Sequence, residues 1–375
     1  MYPILLLLCA AWIVYLIQEA WQVHRARTRL THVIHVNGTR GKSTVSRLID
    51  AGLRAGGLQV FCKTTGTDPM TIDVFNRETL IQRRGPANIK EQIGILKQAA
   101  RQNAQVLVVE CMAIQPELQY AAQHQILNAD IGVITNVRQD HGDVMGHTLE
   151  DVAEALSNTV PKNGILFTAE SRTASPLLQQ AQKRNTTVVQ TSPDGTEPDF
   201  DFAENIALAL AVCRHLGIDR ETALEGMKQY HRDPYALTVH RLKNQIWING
   251  LSINDTESAC LVLKQMQQRL ALEGRPLVLL INNRTDRGSR TEDMLQLCCR
   301  LVPDQIWLSG AGVGFMRRKL AKKLPQVPVR TVKGAAGLSC SLAEENSIIF
   351  AVGNIAQGGR EITDWIKQGG IQIVP

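Results

Sequence analysis

The chain has 375 residues, 44% of them hydrophobic and 20% charged, which excludes a disordered protein and leaves room for two domains with separate cores. The formal net charge of +6 is small for this length and the basic residues are dispersed, so we expect no nucleic-acid partner. A small excess of positive charge is at least as compatible with binding to an anionic membrane or to a polyanionic product. The eight cysteines form no Cys-x-x-Cys pair, which indicates free thiols in a reducing compartment.

An apolar segment opens the chain at residues 4–17. It is shorter than the roughly 20 residues that span a bilayer, but an amphipathic continuation to Val23 lengthens it. Basic residues follow from His24 to Arg29, no cation precedes the segment, and no cleavage site is convincing. We therefore expect residues 1–30 to be an uncleaved helix in the cytoplasmic membrane, with the later domains facing the cytoplasm. The alternative is a helix that packs against the core or against a partner.

A glycine-rich loop follows a predicted strand at residues 33–36 and precedes a helical pattern that stops at Gly56. Backbone N–H groups at such a junction hold phosphate oxygens, Lys42 can reach the terminal phosphates, and the Ser43 hydroxyl can ligate Mg²⁺. Val36 stands where the usual phosphate loop has its first glycine, so the motif is a shorter one. A turn that binds nothing is the alternative. The predicted nucleotide-binding residues here are Gly38, Thr39, Arg40, Gly41, Lys42, Ser43 and Thr44.

Two polar features follow other predicted strands. Glu110 comes directly after the apolar residues 106–109, which predict a buried parallel strand. Ligands collect at the carboxyl edge of such a sheet, so we expect Glu110 to be a second Mg²⁺ ligand. The Thr/Gly loop at residues 63–69 offers hydroxyls to Mg²⁺ or phosphate. The alternatives are a solvated carboxylate and an ordinary polar loop.

A denser polar cluster occupies residues 135–143, after the predicted strand at 131–134. Phosphoryl transfer needs metal ligands and orienting groups beside the γ-phosphate, because its catalysis is mostly positioning and charge neutralisation. His141 can ligate a metal through one ring nitrogen while Asp140 orients the ring, and Asn136 stands close by in the sequence. We expect these three residues to take part in the chemistry. A purely structural histidine is the alternative.

The remaining pattern alternates between strands and helices, with a boundary expected at 231–234. We predict an α/β protein in which residues 31–232 form an ATP-binding domain with a mostly parallel sheet and residues 233–375 form a smaller Rossmann-like domain. Further helices are predicted at 89–100, 149–160 and 205–216. Further strands are predicted at 58–61, 165–167, 187–189, 237–240, 246–248, 277–281, 305–308, 327–330 and 348–352. Polar clusters at 254–256, 282–288 and 353–355 indicate a ligand-facing edge in the second domain.

Taken together, these motifs resemble the Mur ligase superfamily of ATP-dependent amide-forming enzymes, which includes folylpolyglutamate synthase. The resemblance covers roughly residues 31–290 and is most specific at the phosphate loop and at Asp140-His141. It implies ATP and one or two Mg²⁺ ions as cofactors. Implied metal ligands are Ser43, Thr65, Glu110 and His141. Implied nucleotide contacts outside the loop are Asn205 at adenine and Arg241 and Asp255 at phosphate and ribose, and implied charge-stabilising residues are Lys42, Asn136, Asp140, His141 and Arg241.

Two features of this sequence depart from the superfamily's pattern and indicate which branch of the superfamily it resembles. The apolar segment leads straight into the phosphate loop, with no separate domain for a nucleotide-linked precursor. The helix after the Asp-His motif reads Ala155-Leu156-Ser157, where the superfamily often has a carbamoylated lysine. With the strings Leu-Ile-Asn-Asn-Arg-Thr-Asp-Arg-Gly and Gly-Asn-Ile-x-x-Gly-Gly, the chain looks like the CapB/PgsB family, the catalytic subunits of poly-γ-glutamate synthases. That family implies glutamate and poly-γ-glutamate as substrates, a capsule product and small membrane subunits as partners.

The implied reaction is ATP-dependent addition of glutamate to a γ-linked chain through an acyl phosphate, giving ADP and phosphate. No residue of the sequence is assigned to glutamate or to the polymer end. One alternative is a ligase of the same fold with another carboxylate acceptor, such as a folate or a peptide. The other is a membrane-tethered P-loop ATPase or GTPase that acts as a switch or motor, which would hydrolyse nucleotide without any dependence on glutamate.

Overall fold

The computed structural model describes residues 2–83, 85–284, 288–339 and 343–374. The chain divides into two compact units, Met1–Asp233 and Pro234–Pro375. The expected boundary between residues 232 and 233 lies one residue from this division. Each unit contains one sheet covered by helices, so the predicted α/β class with two sheets is confirmed.

The N-terminal helix α1 spans Tyr2–Arg27 and exposes its side chains over most of its length. Among the described residues it is the one helix long and apolar enough to cross a membrane. The last turns of this helix pack against the first unit. Val23 and Ala26 are buried there, and the Arg27 guanidinium donates a hydrogen bond to Asp130 Oδ1 at 2.8 Å. The helix therefore has an exposed apolar part and a short docked part.

The first unit contains an eight-stranded sheet in the order β4-β3-β2-β5-β1-β6-β7-β8. Six strands are parallel, whereas β3 and β4 form an antiparallel hairpin at one edge. The strands are β1 His32–Asn37, β2 Val60–Thr64, β3 Met70–Ile72, β4 Glu78–Leu80, β5 Val106–Glu110, β6 Ile131–Ile134, β7 Ile165–Thr168 and β8 Thr187–Gln190. The helices are α2 Lys42–Ala55, α3 Glu91–Arg101, α4 Pro116–Ala121, a π-helix at Ala122–Leu127, α5 Gly142–Met145, α6 Leu149–Ser157, α7 Ser175–Lys183, α8 Ala203–His215 and α9 Arg220–Lys228.

Alternation along the central strand sends successive side chains to opposite faces of this sheet. Ile34 and Val36 pack with α2, α8 and α9, whereas Val33 packs with α3 and the end of α1. Both faces are therefore covered, which explains why β1, β5 and β6 read as continuous apolar runs in the sequence. The carboxyl ends of these three strands meet at one edge, where the phosphate loop lies.

The second unit contains a seven-stranded sheet in the order β13-β12-β11-β14-β10-β9-β15. Strand β9 is antiparallel to both of its neighbours, and the other pairs are parallel. The strands are β9 Thr238–Leu242, β10 Gln245–Gly250, β11 Leu277–Asn283, β12 Gln305–Gly310, β13 Val329–Thr331, β14 Ile348–Val352 and β15 Ile371–Val374. The helices are α10 Thr256–Arg269, α11 Gly288–Leu301, α12 Val313–Lys323, a 3₁₀ turn at Ala335–Gly337 and α13 Gly359–Gly369. Trp247 and Trp307 are fully buried in its core.

Candidate active site

The phosphate loop joins β1 to α2 through two glycines with backbone conformations that side chains rarely adopt. Gly38 has a φ of 124° and Gly41 a φ of 80°. A Cβ on Gly38 would lie 2.1 Å from Thr135 Oγ1, and a Cβ on Gly41 would lie 2.8 Å from Asn205 Oδ1. Both positions therefore require glycine, for conformation and for space. The loop delivers the backbone to the amino end of α2, where N–H groups point at a ligand.

Thr135 and Asn136, just beyond the end of β6, hold this loop in place. The Asn136 side chain accepts from the Arg40 N–H at 3.0 Å and donates to the Arg40 carbonyl at 3.0 Å. The Thr135 hydroxyl donates to the same carbonyl at 2.6 Å. The Thr39 N–H donates to the Asn136 carbonyl at 3.1 Å. Asn136 was predicted to stabilise charge, and the contacts that the structure gives it are to the loop backbone.

Lys42 begins α2, and its ammonium group lies across the loop. Its Nζ donates to the Gly38 carbonyl at 2.8 Å and to the Thr39 carbonyl at 3.2 Å. These bonds fix the charge beside the backbone N–H groups of the loop. A lysine held in this way is placed to contact the terminal phosphates of a nucleotide.

Ser43 and Glu110 meet at the carboxyl edge of the sheet. The Ser43 hydroxyl donates to Glu110 Oε2 at 2.8 Å, and the Thr65 N–H donates to the same oxygen at 2.6 Å. Glu110 is 3% exposed at the end of β5. The structure thus brings together three of the four predicted metal-binding residues, although Thr65 takes part through its backbone. A hydroxyl and a carboxylate are hard oxygen donors and therefore fit Mg²⁺.

A buried ion pair that the sequence analysis did not predict lies near Glu110. Lys63 is fully buried on β2, and its Nζ lies 3.0 Å from Glu91 Oε1. Arg83 also pairs with Glu91, at 2.7 Å. Burial lowers the pKa of Lys63, and the Glu91 carboxylate opposes that shift. The sequence placed Lys63 in the polar loop at residues 63–69, whereas β2 continues to Thr64 and carries Lys63 into the core.

Asp140 and His141 lie together in the loop after β6. His141 has a left-handed φ of 49°, and its N–H donates to Asp140 Oδ1 at 2.9 Å. Its Nε2 lies 3.7 Å from the same oxygen, and Arg40 Nη2 lies 3.4 Å from Asp140 Oδ2. Asp140 therefore links this motif to the phosphate loop. Within the part of the chain that the structure describes, no three His, Cys, Asp or Glu side chains converge as a metal site. The role of His141 as a metal ligand stays a prediction.

Asn205, predicted to contact adenine, lies in the first turn of α8 beside Gly41. Its Nδ2 donates to Asp201 Oδ1 at 3.1 Å, and the Tyr230 hydroxyl donates to Asp201 Oδ2 at 2.7 Å. Burial and the Asp201 carboxylate raise the pKa of Tyr230, so its hydroxyl stays protonated and donates. The sequence analysis missed both Asp201 and Tyr230, because neither belongs to a recognisable motif.

Arg241 and Asp255 were predicted to contact one nucleotide, but they lie near opposite ends of β10. Arg241 is exposed on β9 and pairs with Ile246, the second residue of β10. Asp255 caps α10 by accepting from the Ser258 N–H at 2.7 Å, beyond the carboxyl end of β10. Four residues of strand, about 13 Å at ~3.3 Å per residue, separate Ile246 from Gly250. Phosphate and ribose lie at different points along a nucleotide, so the contacts of Arg241 with phosphate and of Asp255 with ribose stay predictions.

The predicted polar edge of the second unit is present where the structure describes it. Asn282 is buried at the end of β11, and its side-chain amide donates to the carbonyls of Asn354 and Ala356 at 2.6 and 2.9 Å. Asn283 donates to the Ala311 carbonyl at 2.8 Å. These two residues fix the loops after β14 and β12. The predicted cluster also includes residues 285–287, which lie outside the described residues.

The fold and the loop geometry place the chain in a known class of enzyme. A family model described as "Mur ligase middle domain" matches residues 36–213. E. coli FolC in complex with DHPP and ADP superimposes with a TM-score of 0.69 at 15% identity, covering 92% of this chain and 91% of FolC, which shows the shared fold. The protein is an ATP-dependent ligase of the Mur ligase class.

The sequence comparisons define the family within that class. A model described as "Poly-gamma-glutamate synthase CapB C-terminal domain" matches residues 234–369. The chain is 33% identical over 387 residues to the capsule biosynthesis protein CapB of Bacillus anthracis, covering 96% of this chain and 82% of that protein. It is 34% identical over 302 residues to the PGA synthase CapB of Bacillus subtilis (strain 168), covering 77% of each. The chain therefore belongs to the CapB family, as the motifs indicated.

Proposed function

We propose that this ligase adds glutamate to the end of a γ-linked glutamate chain, forming an amide bond and converting ATP to ADP and phosphate. The observation that carries the proposal is the phosphate loop with Lys42, Ser43 and Glu110 assembled at its mouth, in a chain of the CapB family. The relatives are named for capsule biosynthesis and for PGA synthesis, and we extend that substrate class to this chain.

The reaction that this site supports has two displacements. An oxygen of the terminal carboxylate of the polymer attacks the γ-phosphorus of ATP, and the bond from phosphorus to the β,γ-bridging oxygen breaks, releasing ADP. The resulting acyl phosphate carries a leaving group that a free carboxylate lacks. The amine of the incoming glutamate then attacks the carbonyl carbon, the carbon–oxygen bond to phosphate breaks, and the amine loses a proton. The products are the extended amide and inorganic phosphate.

The residues of the chain act on this reaction mainly through position and charge. The Lys42 ammonium, held beside the loop backbone, neutralises negative charge on the transferring phosphoryl group. Ser43 and Glu110 would hold the divalent cation, which would neutralise negative charge on the transferring phosphoryl group. Asn136 keeps the loop N–H groups directed at the phosphates. We also propose that Asn205 and Asp255 contact the nucleoside and that His141 supplies a further metal ligand.

We further propose that α1 anchors the enzyme in the cytoplasmic membrane, with both units in the cytoplasm. Its apolar side chains are exposed from Tyr2 to Trp21, and basic residues follow at His24 and Arg25. Small membrane subunits of a capsule synthase would be its partners there.

The test is phosphate release by membranes that contain the protein and its partners, with MgATP, in the presence and absence of glutamate. Lys42→Ala is the inactive variant. Lys228→Ala is the matched control, because Lys228 is an exposed residue of α9 that pairs with Glu225. We expect glutamate-dependent phosphate release with a γ-linked polymer as product, lost in Lys42→Ala and kept in Lys228→Ala.

Two results would contradict the proposal. Phosphate release that depends on a folate or peptide acceptor rather than on the polymer would favour a ligase with another substrate, a possibility that the FolC-like fold keeps open. Phosphate release that no acceptor affects would favour a nucleotide-driven switch. The product analysis separates the first case from the proposed reaction, and the acceptor dependence separates the second.

A further inference from the structure

A second carboxylate lies beside Ser43, from a part of the chain far away in sequence. Gly66 follows β2, and a Cβ built on it would lie 3.0 Å from Ser43 Oγ and 2.6 Å from Asp233 Oδ2. The Ser43 hydroxyl and the Asp233 carboxylate therefore border the same small space above Gly66. The Ser43 hydroxyl also donates to Glu110 Oε2 at 2.8 Å. Two carboxylates, Glu110 and Asp233, thus lie in the neighbourhood of this hydroxyl.

Asp233 is held at this place by its neighbours in the chain. The buried guanidinium of Arg47 donates to the His231 carbonyl at 2.8 Å, and Arg232 donates to the Phe200 carbonyl at 2.9 Å. Arg47 belongs to α2, one turn after Ser43, so the helix that carries the hydroxyl also fixes the backbone beside the carboxylate. Pro234 follows directly, and its ring favours an extended backbone at Asp233. The approach of Asp233 to Ser43 is therefore built into the first unit.

The charges around the hydroxyl indicate what this arrangement binds. A cation within reach of both carboxylates is attracted by both, because an opposite charge nearby favours the ionised form of each. Mg²⁺ usually takes one or two carboxylates in addition to phosphate oxygens and water, and it prefers oxygen donors throughout. Glu110, Ser43 and Asp233 supply this donor set at the mouth of a phosphate loop. Gly66 leaves the space between them open, because any side chain there would fill it.

We propose that Asp233 is a second carboxylate of the divalent-cation site at Ser43, binding the cation directly or through one of its waters. This inference rests on the proposed function, because it concerns the metal that accompanies the nucleotide. It adds to that function a ligand that none of the phosphate-loop or strand-end motifs contains.

The test measures metal binding rather than turnover. The purified full chain in detergent is titrated with Mn²⁺ in the presence of ADP, and free Mn²⁺ is followed by electron paramagnetic resonance. Asp233→Asn should raise the Kd for Mn²⁺ at least tenfold, while the affinity for ADP without metal stays the same or increases. Asp194→Asn, in an exposed loop of the same unit, is the control and should leave both affinities unchanged.

A second variant tests the geometry without removing the carboxylate. In Gly66→Ala, the new methyl group would occupy the point 2.6 Å from Asp233 Oδ2, so the carboxylate has to move away. We expect a weaker Mn²⁺ affinity than in the wild type and an unchanged melting temperature without ligands. Gly94→Ala is the matched control, since no atom lies within 4 Å of a Cβ built there.

Mn²⁺ affinity within twofold of the wild type in both Asp233→Asn and Gly66→Ala would overturn the proposal. So would a wild-type chain that binds ADP but no Mn²⁺. A wild type that binds Mn²⁺ through Asp233 but makes no glutamate polymer would leave this inference standing and reject the proposed function. Equal loss of ADP binding with and without metal would show that Asp233 supports the loop and does not bind the cation.

Discussion

Asn136 offers the sharpest test of how the phosphate loop works. Its side chain forms two hydrogen bonds with the backbone of Arg40, each 3.0 Å long. Asn136→Ala removes both bonds, whereas the Arg40 carbonyl keeps the Thr135 hydroxyl at 2.6 Å. Each of the two lost hydrogen bonds costs about 1 kcal/mol net. A total of about 2 kcal/mol corresponds to a nucleotide affinity weaker by about 30-fold.

The measurement is calorimetric titration of the variant with MgADP and with a non-hydrolysable ATP analogue, beside steady-state kinetics. Thr135→Val should have a smaller effect, about fivefold, because the Arg40 carbonyl then keeps the Asn136 amide. The double variant leaves that carbonyl unpaired, so its loss should exceed the sum of the two single losses. Unchanged affinity in Asn136→Ala with a kcat lowered by two orders of magnitude would refute this reasoning. That result would show that Asn136 acts on the transferring group itself.

Two further predictions concern stability and the N-terminal helix. Burial lowers the pKa of His35 from 6.5 to about 4. Between these pH values the unfolded chain binds a proton at His35 that the folded chain does not bind. The free energy of unfolding should therefore fall by about 3 kcal/mol as the pH drops from about 6.5 to 4. His35→Asn keeps a donor for Gln123 and should flatten this pH dependence of stability. The stability of the first unit is measured by hydrogen exchange of peptides from β1, because the buried tryptophans Trp247 and Trp307 report on the second unit. An equal pH dependence in the wild type and in the variant would contradict the prediction. A chain that starts at residue 22 should leave the membrane fraction with an unchanged melting temperature, because residues 2–21 are largely exposed. A chain that starts at residue 28 should have a lower melting temperature, because it loses the buried side chains of Val23 and Ala26 and the hydrogen bond from Arg27 to Asp130. Equal melting temperatures of the two truncated chains would show that the last turns of α1 do not stabilise the first unit.

Local signals in the sequence predicted much of the first sheet. Residues 131–134 form a strand with the predicted bounds, and α6 begins at Leu149 as expected because Thr148 and Asp151 form a capping box. The hairpin of β3 and β4 was missed. Its strands have three residues each, too few to show an apolar run or a long alternation.

The missed parts of the site depend on contacts between distant segments. Lys63 was expected in a polar loop, and its burial on β2 depends on the approach of Glu91 from a distant segment. Asp233 and Gly66 are 167 positions apart, so no spacing rule connects them. The register of β9 and β10 depends on a two-residue turn at Lys243, which has a φ of 52°, and this turn places Arg241 opposite Ile246.

The carboxylate of Asp130 fixes the end of α1 to the first sheet. It accepts from Arg27 at the end of α1, from the Val33 N–H at the start of β1 at 2.8 Å, and pairs with His32 at 2.6 Å. The anchor is therefore fastened to the amino edge of the sheet, whereas the phosphate loop leaves the carboxyl edge. Six residues of β1, about 20 Å, separate them. If α1 lies in the bilayer as proposed, the first sheet is a spacer of this length between the lipid surface and the phosphate loop.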